Sequence, residues 1–202
     1  MSAPQPVSLG VLVSGNGSNL QAILDAIAAN TLRAQVRLVI SNKPNVQALE
    51  RARAAGVPAL TIPHGDFPNR EAFDRALVAA LRDAQAEWIV LAGFMRVLTP
   101  DFLSAYPGRI INIHPSLLPA FPGVGAAKQA LDYGVKLTGC TVHFVDHGVD
   151  SGRIIAQRAV PVEAADDLAA LSARIHAAEH ELFVSALRDI AAGRVVPHSD
   201  EG

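Results

Sequence analysis

Two apolar runs with one amphipathic segment between them constrain this chain most. They are Val7-Ser-Leu-Gly-Val-Leu-Val13, residues 18–30, and the β-branched run at residues 34–40. A short apolar run without polar alternation suits a strand covered on both faces, and parallel strands need a crossover between them, so the three segments read as a βαβ unit. The alternation then continues. Residues 46–55 form an Arg- and Ala-rich helical segment stopped by Gly56-Val-Pro58, and a short strand follows at 59–62. Residues 69–86 are amphipathic through Phe73, Leu77 and Leu81, while 88–92 and 109–113 are further buried strands. The expected fold is α/β, a mostly parallel open sheet with helices on both faces and a Rossmann-like first half.

The texture changes after residue 115. Residues 136–145 and 153–162 are two long strand-like runs joined by Asp146-His-Gly-Val-Asp-Ser-Gly152, which predicts an antiparallel pair. A closing helix over 167–191 carries an apolar stripe at Leu168, Leu171, Ile175, Leu182 and Ile190. No linker interrupts the chain, so one domain over 1–202 is expected, with halves at 1–106 and 107–195. From Gly193 the chain is polar and is expected to fray, 196–202 being a tail.

Charge and composition exclude several classes. Lys and Arg number 17 against 19 Asp and Glu, with no basic block, so the clustered positive charge of a nucleic-acid footprint is missing. No apolar run approaches the roughly 20 residues that span a bilayer, and Met1-Ser-Ala-Pro-Gln-Pro lacks the features of a secretory leader. A lone Cys140 cannot form an intrachain disulfide and reads as a buried small hydrophobe. A cytoplasmic protein with small-molecule partners, monomer or homodimer, is the expectation.

Three motifs carry chemistry. Asn112-Ile-His114 ends a buried strand, and alternate strand residues share a face, so an amide donor and an imidazole project together where the strand opens into a loop. Taken alone, the pair also fits a structural strand-end histidine beside a turn asparagine. Ser14-Gly-Asn-Gly-Ser-Asn19 lies between the first strand and first helix, where glycines permit tight turning and free N–H groups attract an anion. Ser18 with Gln21 also fits a capping box. Leu20 stands where a dinucleotide fingerprint has its third glycine, and Ser41-Asn-Lys-Pro44 offers no carboxylate for a ribose, so a single phosphate or phosphoribosyl group is preferred over NAD. His176-Ala-Ala-Glu179-His180 spaces two imidazoles as zinc ligands on a helix, but the short polar remainder leaves little to supply a further ligand. Glu179 falls on the apolar stripe, where a carboxylate needs a partner.

Six segments together resemble the folate-dependent formyltransferases, in particular the branch that serves purine biosynthesis. They are Ser14-Gly-Asn-Gly-Ser-Asn-Leu-Gln21, Ser41-Asn-Lys43, Leu91-Ala-Gly-Phe-Met-Arg96, Asn112-Ile-His-Pro-Ser-Leu-Leu-Pro119, Thr141-Val-His-Phe-Val145 and Asp150-Ser-Gly152. The resemblance implies the formyltransferase fold. It implies transfer of a formyl group from the co-substrate 10-formyltetrahydrofolate to the amino group of 5'-phosphoribosylglycinamide, with no metal. By motif, Gly17, Ser18 and Asn19 would hold the phosphoribosyl group in the first half, and Glu179 would recognise the glycyl amine. Arg70 and Met95, Arg96, Val97 and Leu98, together with Asn112, would line the folate site.

The implied catalytic trio is Asn112, His114 and Asp150, with His143 in support. An amine attacking a formyl carbon builds a tetrahedral oxyanion, which Asn112 and an imidazolium at His114 would stabilise while Asp150 keeps that charge in place. Relatives that hydrolyse the formylfolate or act on tRNA carry extra domains for which this chain has no room. The hydrolase activity and a non-catalytic phosphate- or nucleotide-binding module are the alternatives. One departure stands out: Val124-Gly-Ala-Ala-Lys128 replaces a lid segment that carries histidine in many relatives, which implies a flexible or differently ordered lid.

Overall fold

The computed structural model describes residues 5–198. Seven strands form one sheet in the order β3-β2-β1-β4-β5-β6-β7. The first five, β1 (Val7–Val13), β2 (Ala34–Ser41), β3 (Ala59–Thr61), β4 (Trp88–Leu91) and β5 (Ile110–His114), are mutually parallel. β6 (Leu137–Phe144) and β7 (Ile154–Pro161) add antiparallel to β5, as the two long runs predict. β4 is buried along its whole length and β1 from Leu9 onward, which explains why both read as continuous apolar runs.

Six helices cover the sheet: α1 (Ser18–Ala28), α2 (Gln47–Ala54), α3 (Arg70–Asp83), α4 (Pro100–Ala105), α5 (Ala126–Tyr133) and α6 (Leu168–Ala191). Leu20 and Ile23 of α1, Leu49 of α2 and Ile175 and Phe183 of α6 pack with Leu9, Val11, Ile111, Cys140 and Val142 on one face. Phe73, Leu77 and Leu81 of α3 and Phe102 of α4 meet Leu12, Ile40, Ile89 and Ile110 on the other. Gly10 makes the α3 contact possible, because a Cβ there would lie 2.4 Å from Leu81 Cδ2.

The segment 124–128, implied to be flexible or differently ordered, is ordered from Ala126 on, and three other expectations are corrected. Helix α5 begins at Ala126, and Ala126 and Ala130 are fully buried, because small side chains let it settle closely on its neighbours. Leu168 of the expected stripe is exposed, since it opens α6 before the helix reaches the core. Ser18 does not cap α1: Gly17 takes that position with a left-handed backbone and no side-chain bond, and Gln21 turns to Asp25 and Arg51. The chain after Gly193 does not fray as far as it is described, for His198 N donates to Gly108 O and its ring lies on Phe144. Residues 199–202 of the expected tail, and Met1 to Pro4 of the opening segment, lie outside the described residues. Among those described, no helix is long and apolar enough to cross a membrane.

Candidate active site

The strand order reverses direction between β1 and β4, and loops leaving the carboxyl ends of neighbouring strands diverge there, opening a crevice. β5 runs along its edge. Ile110 of β5 is sealed under the α3 and α4 core, and two residues further Asn112 projects from the same face into a cavity of about 300 Å³. Antiparallel register sets His143 of β6 opposite Asn112, and Thr141 opposite His114. His143 therefore shares the Asn112 face, a position the sequence left open.

Asp150 reaches the pair from the β6–β7 loop. Its Oδ2 accepts from Gly123 N at 2.8 Å and lies 3.2 Å from His114 Nδ1, while Oδ1 lies 3.4 Å from Asn112 Nδ2. Its backbone is left-handed, with φ of 53°, a conformation costly for a residue with a Cβ and one that turns this carboxylate inward. A carboxylate that merely satisfied its own loop would look different, and Asp146 does that work instead, accepting from Gly148 N and Ser151 Oγ. Burial pushes the Asp150 carboxyl up, but contact with His143, the Gly123 N–H and the charge of His114 together hold it below its ordinary value. His143 Nε2 itself stands 3.6 Å from Oδ1, beyond hydrogen-bond reach.

Both histidines are oriented by carbonyl oxygens. His143 Nδ1 lies 2.7 Å from Phe144 O, which places its hydrogen there and leaves Nε2 to accept from Asn112 Nδ2 at 3.2 Å. His114 Nε2 lies 2.8 Å from Phe121 O, and with Asp150 at Nδ1 the ring faces acceptors on both sides. The Pro115–Gly123 turn that brings Phe121 there is pinned beneath by Thr141, whose Oγ1 donates to Ser116 O and accepts from Leu118 N and from Gln157. Thr141 and Gln157 escaped the sequence reading, although Thr141 lies on the same strand face as His143.

The cavity is lined by Leu91, Phe94, Val97, Leu98 and Val145 along one wall, with Asn112, His114 and Asp150 at its polar end. Of the residues expected there, Met95, Arg96, Val97 and Leu98 line it. Arg70 does not, but its Nη2 donates to Val97 O at 2.8 Å and so holds that wall. Ser14 ties the wall to the glycine loop: its Oγ accepts from Met95 N and donates to Asn42 Oδ1.

Gly17, Ser18 and Asn19 sit at the head of α1, where the missing cap leaves backbone N–H groups available to an anion. Asn19 Nδ2 donates to Glu179 Oε2 at 3.0 Å across 160 residues, and Asn19 Oδ1 is buried with no partner among the described residues. Burial pushes the Glu179 carboxyl above its ordinary value, with the Asn19 bond and the charge of His176 pulling it back. Glu179 thus lies with the α1 loop and is not among the residues lining the cavity that holds Asn112. The zinc alternative finds no geometric support, as no cluster of three His, Cys, Asp or Glu suited to a metal occurs among the described residues. Cys140 is buried and its thiol is pushed up to about 12 by burial, which leaves it inert as a nucleophile.

Comparisons with known proteins agree on one family. Residues 8–187 match the family described as formyl transferase. The chain is 54% identical over 187 residues to the trifunctional purine biosynthetic protein adenosine-3 of Drosophila pseudoobscura pseudoobscura, covering 92% of this chain but only 14% of that longer protein. It is 44% identical over 194 residues to the phosphoribosylglycinamide formyltransferase of Escherichia coli strain K12, covering 96% of this chain and 92% of the relative. Among solved structures, glycinamide ribonucleotide transformylase 1 from Symbiobacterium toebii superposes with a TM-score of 0.93 at 49% identity, covering 96% of this chain and 91% of that one.

Proposed function

The chain belongs to the formyl transferase family, and we propose that it moves the formyl group of 10-formyltetrahydrofolate to the amino group of 5'-phosphoribosylglycinamide, a step of purine biosynthesis. The observation that carries this is the convergence of Asn112, His114 and Asp150, from β5 and the β6–β7 loop, at the polar end of an apolar cavity. An apolar wall with a polar end suits a flat pterin whose formyl group must meet donors. We place the phosphate at Gly17, Ser18 and Asn19, and assign Asn19 Oδ1 and Glu179 to the acceptor's ribose-bearing portion rather than to its amine, because Glu179 of α6 is bonded to Asn19 at the head of α1 and does not line the cavity that holds the trio.

The amine lone pair attacks the formyl carbon, a C–N bond forms, and the carbonyl π electrons move to oxygen. Asn112 Nδ2 is turned toward the site by long contacts of 3.2 and 3.4 Å, loose enough to re-aim an N–H at the new oxyanion. Phe121 O anchors His114 through Nε2, so the Nδ1 side, next to Asp150, is left to exchange a proton. Asp150 balances the imidazolium and takes up the proton that the attacking amine loses. The oxyanion electrons then re-form the carbonyl as the folate C–N bond breaks, the bond's electron pair stays on the folate nitrogen, which takes the proton held by Asp150, and tetrahydrofolate leaves the formylated amide. Protein groups cover each charge, and no metal is invoked. We set the reaction in the cytoplasm, in a monomer or homodimer with small-molecule partners.

Folate release followed by absorbance, with and without phosphoribosylglycinamide, tests this. Release that requires the amine is expected. Asn112→Ala, His114→Ala and Asp150→Asn should each lower kcat by about a hundredfold to a thousandfold while remaining folded. Release without the amine would favour hydrolysis, and folded variants with near-normal turnover would sink the assignment of the trio.

A further inference from the structure

The glycine loop is held from behind by α2. Gly15 O accepts from Ala48 N at 3.2 Å, and Asn16 O accepts from Arg51 Nε at 2.9 Å. A peptide unit is planar and trans, so its C=O and its N–H point in opposite directions. With the carbonyls of Gly15 and Asn16 drawn toward α2, the N–H groups of Asn16 and Gly17 are turned away from it. The same guanidinium reaches Asn16 Oδ1 at 3.2 Å and Gln21 Oε1 at 3.1 Å, joining the loop to the first turn of α1. Asn16 Nδ2 in turn donates to Gln47 Oε1 at 2.7 Å. Gly17 completes the fit, for with φ of 75° its Cα rests on α2 so closely that a Cβ would lie 2.5 Å from Ala48 Cβ. All three Arg51 acceptors are neutral and, among the described residues, no carboxylate pairs with it, so its charge adds to the positive field at the head of α1.

We infer that Arg51 is a positioning residue for the acceptor substrate: by holding Asn16 O its fork turns the N–H of Gly17, the first residue of the proposed phosphate site, toward the phosphate. This rests on the placement of the phosphate at the glycine loop proposed above, and adds a residue of α2 that acts through the loop. A nest already ordered before binding loses less entropy when the anion arrives, and the benefit appears as affinity for the phosphorylated substrate alone.

The test is steady-state kinetics of the full chain with Arg51→Ala and Arg51→Lys, alongside calorimetric titration with inorganic phosphate. Arg51→Ala is expected to raise KM for phosphoribosylglycinamide about tenfold and to weaken phosphate binding by a similar factor. Its kcat and its KM for 10-formyltetrahydrofolate should stay within about twofold of the unmodified chain, a split that general loosening would not produce. Arg51→Lys keeps the charge without the fork and should fall between. Unchanged KM and phosphate affinity in both variants would overturn the inference, as would an equal rise in KM for both substrates. Should Arg51→Ala fail to fold, Arg51→Lys decides alone, and a normal KM in it overturns the inference. An unmodified chain that neither binds phosphate nor uses the ribonucleotide would instead remove the phosphate site itself.

Discussion

At the scale of single residues, two carboxylates, Asp150 partly buried and Glu179 buried, show how surroundings divide one chemistry into two roles. Asp150 receives a backbone N–H and lies beside two imidazoles, so it stays ionised. Glu179 has one amide partner and is held above its ordinary value by burial. A carboxyl with a raised folded pKa binds its proton more tightly in the folded chain than in the unfolded one. Stability is therefore present below the unfolded value, near 4.5, and is lost as pH rises through the folded one. Glu179→Gln removes that loss and keeps an acceptor for Asn19. Its thermal midpoint should match the unmodified chain's at about pH 4 and exceed it at about pH 8. A lower midpoint at the higher pH would show that the charged form is the one the fold prefers. The residues proposed as catalytic were legible in sequence because Asn112 and His114 lie on one strand face and Asp150 within a recognisable tripeptide. The carbonyls of Phe121 and Phe144 that orient the imidazoles were not, because a backbone oxygen leaves no mark on a sequence.

Among the elements, those with a strong local pattern were readable and those built by packing were not. All seven strands and helices α1, α2, α3 and α6 follow from apolar runs, helical periodicity and, for the eight residues of α2, an Arg- and Ala-rich stretch stopped by Gly56-Val-Pro58. Helix α4, six residues long, is too short for periodicity to speak, and the eight residues of α5 follow directly on the turn Pro122-Gly-Val-Gly125, which hides their start. Helix α4 did leave a signal, for Thr99 accepts from Phe102 N and Pro100 takes the first helical position, the usual signature of a helix start. Helix α5 begins after a left-handed Gly125, a conformation that no residue pattern announced. The same dependence on packing appears at Gly10, whose missing side chain lets α3 approach β1. Gly10→Ala should drive Leu81 out of its place and cost about 1–3 kcal/mol of stability in denaturant titration. An unchanged midpoint would mean that α3 moves without penalty.

The whole molecule is one sheet, and its two halves are joined through it. β4 of the first half pairs with β5 of the second, and Asn19 on α1 is bonded to Glu179 on α6. The division near residue 106 is therefore expected to be one of role and not of folding. Calorimetry should give a single transition in which the calorimetric and van't Hoff enthalpies agree, and phosphoribosylglycinamide should raise the whole transition, by about 2.7 kcal/mol at a hundred times its Kd. Two resolved transitions would make the halves separate units. What the sequence alone determined is the set of parts: buried strands, amphipathic helices, a glycine loop and an Asn-x-His strand end. Each is written within a short stretch, because burial pattern and backbone preference are local properties. Which parts meet was decided by the tertiary structure. Asn112 faces His143 across 31 positions, Gly123 binds Asp150 across 27, and Asn19 reaches Glu179 across 160. Strand register and helix packing set those meetings, and both depend on how the chain as a whole fills its core.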